Sequence, residues 1–154
     1  MTDAAPDSPP ALDIAQAHPT RSLDEDTLTT LIQRVTEGEG FEIRALGIVL
    51  ADRDTVHRLN REFLGHDYPT DVLSFSLDED AAADGLIDGE VYVDLDTAAE
   101  RAPEFDTTFE AEARRYVVHG LLHLMGYDDA TDAERAAMRE REDRYLGADE
   151  PTSR

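Results

Sequence analysis

No cysteine, no lysine and no tryptophan occurs among the 154 residues. Without cysteine there are no disulfides, no thiolate zinc sites and no cysteine nucleophile. Without lysine, all 14 basic residues are arginine; they face 36 acidic side chains, for a formal net charge of −22. A lysine-free acidic surface fits a protein that works in concentrated salt, where self-repulsion is screened. Arginine codons replacing lysine codons in a GC-rich genome would leave the same composition. Either origin argues against broad non-specific binding to nucleic acid, though not against a local basic channel. Long apolar runs are missing too, which excludes a membrane-spanning helix. The opening MTDAAPDSPP has neither the basic patch nor the apolar stretch of a signal peptide, so a cytoplasmic protein is expected. With 40% hydrophobic residues the chain has enough apolar material for one domain with a core.

Residues 1–10 and 147–154 read as tails, leaving 11–146 as the domain. Leu12, Ile14 and Ala15 begin a weak strand. Ser22 and Glu25 form a capping box before a helix that Gly38 and Gly40 end. Ile43 to Leu50 reads as a strand. Asp52 or Asp54 caps a helix carrying Val56, Leu59 and Phe63, which stops at Gly65. Short strands are expected at Val72–Phe75 and Glu90–Asp94, separated by an acidic loop from Asp78 to Asp88. Asp96 starts a short helix that Pro103 closes. Thr107 and Glu110 open a longer helix ending at Gly126, and Thr131 and Glu134 open the last. No clean βαβ alternation appears, so the expected fold is a single α+β domain, a small mixed sheet packed with helices.

Three histidines, His18, His57 and His66, are scattered. The other two, His119 and His123, stand four apart on one face of the long helix, amid Val117, Val118, Leu121 and Leu122. Two imidazoles in so apolar a helix need partners. Gly126 lets the chain reverse and Asp129 follows, giving H-x3-H-x2-G-x2-D. Two helical nitrogens and one returning carboxylate leave a coordination position open, the arrangement of catalytic rather than structural zinc. The carboxylate hardens the donor set enough for manganese or nickel to compete. Metalloproteases of the H-E-x-x-H type share this spacing, but their general base follows the first histidine, and here that position is Gly120.

The run from His119 to Asp129, HGLLHLMGYDD, resembles the H-G-x-L-H-L-x-G-Y-D-H signature of the YbeY family of bacterial endoribonucleases. Leu59-Asn60, the block Pro69-Thr70-Asp71-Val72-Leu73-Ser74-Phe75, and Gly89-Glu90-Val91 match it independently, so the likeness spans roughly residues 25–146. It implies a single-strand-specific, zinc-dependent endoribonuclease with one Zn2+ per chain, held by His119, His123 and Asp129. It further implies action on 16S rRNA 3′-end maturation and ribosome quality control, with the small ribosomal subunit as partner. Two departures stand out. The signature's third histidine is Asp129, and an arginine expected after L-N-x-x-Y is Leu64. Arg115, one turn before His119, is the candidate cation for charge developing on the phosphate, with His66 the second. Pairing of Arg115 with Glu112 or Asp128 on a solvated helix face is the alternative. Two other functions stay open: a ribosome-assembly factor with a structural metal, and a metallohydrolase of another class such as a peptidase.

Overall fold

A computed structural model describes residues 11–65 and 70–147. The elements in chain order are β1 (Leu12–Gln16), α1 (Glu25–Glu39), β2 (Glu42–Ala51), α2 (Arg53–Leu64), β3 (Val72–Ser76), β4 (Leu86–Asp94), α3 (Leu95–Arg101), α4 (Phe109–Leu124) and α5 (Asp132–Leu146). They form one α+β domain around a four-stranded mixed sheet of order β1-β2-β4-β3. β1, β2 and β4 run parallel, with Ile14 beside Ile48 and Ile48 beside Val91; β3 is antiparallel to β4 at the edge, with Ser74 beside Val91. The first helix is therefore a crossover between parallel strands, a βαβ unit that the sequence pattern did not announce.

Helix starts follow local hydrogen-bonding chemistry, shifted from the expected residue in three places. Asp24, not Ser22, caps α1 by accepting from Thr27 N at 2.9 Å. Asp94 caps α3 in place of Asp96, and Thr108 caps α4 in place of Thr107. In each case a neighbouring Ser, Thr or Asp was an equally good acceptor by type, and backbone direction chose between them. Asp52 caps α2, and the Thr131–Glu134 box opens α5 as expected. α1 runs through Gly38 and stops at Gly40. β4 begins at Leu86, earlier than expected, inside the segment read as loop.

Strand alternation sorts the core. Ile87, Val91 and Val93 of β4, with Leu46, Ile48 and Leu50 of β2, face α1, α4 and α5. The intervening Tyr92 and Val49 face the other way, with Val56 and Leu59 of α2. α4 is buried along most of its length, as its apolar sequence demands. Its close seat on the sheet depends on Gly120, where a Cβ would lie 2.5 Å from Val91 Cγ1 and 3.1 Å from Ser74 Oγ. Ser74 Oγ also donates to the Gly120 carbonyl at 2.9 Å, fixing the edge strand to the ligand-bearing helix. Among the described residues, no helix is long and apolar enough to cross a membrane.

Candidate metal centre

His119 and His123 project from the same face of α4, with their Nε2 atoms 3.0 Å apart. After the helix, Gly126 adopts φ 104°, a left-handed conformation that side-chain-bearing residues avoid, and the chain doubles back. Asp129 is thereby delivered to both rings, Oδ2 lying 3.2 Å from His119 Nε2 and 3.5 Å from His123 Nε2. Ligand atoms about 2.0–2.1 Å from a tetrahedral zinc stand about 3.4 Å from one another. The three donors are thus spaced as three corners of such a tetrahedron, and their N2O chemistry suits Zn2+ or a comparable divalent ion. All three are partly exposed, so the fourth corner opens outward.

Behind the ligands stands a residue the sequence reading missed. Glu142 of α5, only 5% exposed, has Oε2 2.7 Å from His119 Nδ1. That hydrogen bond puts the ring proton on Nδ1 and turns the Nε2 lone pair to the ligand triangle. Desolvation pulls the His119 imidazole down, but the Glu142 carboxylate, through its hydrogen bond and charge, with Asp71 and Asp129, outweighs burial and raises it above its ordinary range. A signal for Glu142 was present in the sequence: Met138, Glu142, Tyr145 and Leu146 are the buried stripe of α5, and one member of that stripe is a carboxylate.

Arg115 is not the free cation expected at the site, nor is it on a solvated face. It is 4% exposed, its Nη1 donates to Glu142 Oε1 at 3.0 Å, and its Nη2 donates to Asp143 at 2.8 Å. Its guanidinium is engaged by two α5 carboxylates and reaches the centre only through Glu142. His66, the second catalytic candidate, lies outside the described residues. Leu64, where an arginine was expected, is on the wall of a cleft of about 620 Å³ that also includes Asp71, Ser74 and the three ligands. Asp71 does structural work as well: its carbonyl accepts from Asp94 N at 2.9 Å and its carboxylate faces Arg101 at 3.4 Å.

The ligand loop is braced from both sides. Arg135 donates to the carbonyls of Asp129 (3.3 Å) and Ala130 (3.1 Å). Tyr127 donates to Glu39 at the end of α1 at 2.7 Å, and Arg141 both pairs with Glu39 and stacks on the Tyr127 ring. His18 lies elsewhere, paired with Asp96.

Fold and donor set together define an α+β domain that presents, from a buried helix, an open His-His-Asp group able to hold a metal ion. A family model described as Endoribonuclease YbeY matches residues 13–148. The chain is 58% identical over 149 residues to the Endoribonuclease YbeY of Salinibacter ruber, an alignment covering 93% of this chain and 94% of that protein. It is 44% identical over 126 residues to the Endoribonuclease YbeY of Chlorobium phaeobacteroides, covering 82% and 86%. The solution structure of TM1509 from Thermotoga maritima superposes with a TM-score of 0.63 at 33% identity, covering 88% of this chain and 86% of that one. The chain belongs to the YbeY family.

Proposed function

We propose that the chain is a metal-dependent endoribonuclease that cuts single-stranded RNA in the cytoplasm, with one zinc ion on His119, His123 and Asp129. The observation that carries this reading is the convergence of three ligand atoms within 3.5 Å beside an open cleft of about 620 Å³, in a chain of this family. When bound, a divalent ion supplies Lewis-acid polarisation of a phosphodiester oxygen and acidifies water. The protein's own contribution is orientation. Glu142 holds the His119 tautomer, Arg115 holds Glu142, and Asp129 adds the negative charge that favours a dication over an empty site. Arg115 is on this account a positioning residue. The peptidase alternative loses its support at Gly120, because that position packs against Val91 and has no room for a base.

Ribosomal RNA as the natural substrate, 16S 3′-end maturation among its steps, with the small ribosomal subunit as partner, is the assignment that fits the family. The lysine-free acidic surface supports a protein stabilised by molar salt, and a melting temperature that climbs with KCl at fixed pH checks this. The decisive experiment for the activity is metal analysis of the purified protein, paired with RNA cleavage with and without chelator. About one divalent ion per chain and cleavage that chelator abolishes are expected, with His123→Ala losing both. Bound metal without cleavage would leave a structural metal in an assembly factor. Chelator-sensitive proteolysis would return the peptidase.

A further inference from the structure

The larger cleft carries the carboxylates of Asp71 and Asp129, and among the described residues no arginine lines it. An RNA backbone brings one negative charge per nucleotide, so its cationic partner has to stand elsewhere. A second cavity of about 130 Å³ shares His119 and Asp129 with the cleft and continues toward α5, where Arg135 and Arg139 line it together with Met138 and Glu142. The two arginines sit four apart on one helical face, a spacing at which like charges repel. They are not equivalent. Arg135 is held by the carbonyls of Asp129 and Ala130 and by Asp132. Arg139 is exposed and has no carboxylate, carbonyl or ring partner among the described residues.

Every other described arginine engages a partner. In a chain with 36 acidic side chains and 14 basic ones, pairing is easily found. The arginine left over lines the same cavity as His119 and Asp129, two of the three proposed metal ligands. Its planar fork matches two phosphate oxygens at once. We propose that Arg139 binds a phosphate of the RNA substrate on the α5 side of the metal centre, so that the strand passes from the cleft, across the ligand triangle, into the smaller cavity. This rests on the endoribonuclease reading and adds a direction for the bound strand and a binding residue to it.

The test compares wild type, Arg139→Gln and Arg139→Lys, each loaded with the same metal. Cleavage kinetics are measured on single-stranded RNA, and binding on a 2′-O-methyl oligonucleotide, verified by gel to stay uncleavable under the assay conditions, by anisotropy from roughly 50 to 300 mM KCl. Arg139→Gln is expected to raise KM about tenfold while kcat stays within about threefold, the signature of a lost phosphate contact. It should also flatten the slope of log affinity against log salt by about 0.7 relative to wild type, the single-strand value for one contact. Using the difference between variants removes the global repulsion that all share. Arg139→Lys keeps the charge but not the fork, so it should restore the salt slope and only part of the KM, and metal content and melting temperature should not change in either variant. If Arg139→Gln keeps the wild-type KM and salt slope, or loses kcat alone, the proposal is overturned. A metal-loaded wild type that cuts no RNA sinks the endoribonuclease reading instead, and the salt slope on the uncleavable strand still decides Arg139.

Discussion

On one face of the sheet, α1, α4 and α5 bury Leu28, Ile32, Val117 and Leu121 against Ile48, Val91 and Val93, and both ligand histidines rise from that layer. On the other face, Val56 of α2 closes a small cluster with Ala51 and Leu73, while Phe63 remains 67% and Leu77 65% exposed. The first face is held by packing and by buried charge pairs. The second is held at its rim by short polar links: Asp96 accepts from the backbone of Arg53 at the start of α2 at 3.0 Å and binds His18 at 2.8 Å. The difference matters for chemistry. A metal site tolerates misplacement of only about half an ångström, and dense packing supplies that precision, whereas a lightly covered face can change without moving a ligand.

Paired truncations put this contrast under the greatest load. Leu121→Ala, in the dense layer, should lower unfolding free energy by about 3 kcal/mol and weaken metal retention with it. Val56→Ala, equally buried on the sheet-facing side of α2, should lower it by about 1–2 kcal/mol and leave metal content unchanged. Denaturant unfolding with metal analysis reads both. Equal losses of metal in the two variants would erase the distinction between the faces.

Glu142→Gln asks a finer question of the same layer. It keeps the volume and removes the charge that holds the His119 ring, so metal affinity should drop 10- to 100-fold, to about that order. Competition with a chromophoric chelator measures it. An unchanged affinity would reduce Glu142 to a partner of Arg115 alone.

The smallest effect belongs to the polar rim. Burial pushes the Asp96 carboxyl up, but hydrogen bonds from His18, the Arg53 backbone and Arg21 prevail and hold it down at about 2. A carboxylate depressed in the folded state contributes stability in full above its unfolded value, about 3.9, and loses that contribution as pH falls toward the folded value. Asp96→Asn should therefore cost about 1–2 kcal/mol near neutrality and flatten the acid limb between roughly pH 4 and pH 2. Melts across that range check it, and an identical acid limb in both proteins would show that the Asp96 link adds nothing.

What was readable in the sequence follows the range over which each interaction acts. The His119, His123 and Asp129 group lies within eleven consecutive positions on one helix and its turn, so helical periodicity and one glycine sufficed to foresee that these three side chains meet. Glu142 comes from the next helix, and its place depends on how α5 docks against α4. Only its position on the α5 apolar stripe hinted at burial. Arg115 illustrates the reverse: proximity in sequence to His119 suggested a catalytic cation, yet the carboxylates that claim it, Glu142 and Asp143, are 27 and 28 residues away. The fold class was legible from alternating apolar strands and capped helices. The parallel pairing of β1 with β2 was not, because strand direction is decided by contacts across the whole of α1.

The order of elements also sets an order of assembly in time. All four strands precede α3, and the first ligand, His119, lies beyond it. A chain made from its N-terminus therefore has the whole sheet before it has any ligand. It also has all three ligands before Glu142, the carboxylate that fixes the His119 tautomer. An ion held on these three side chains would thus gain the Glu142 brace only once α5 has docked, so its retention would be a property of the finished protein rather than of the growing chain.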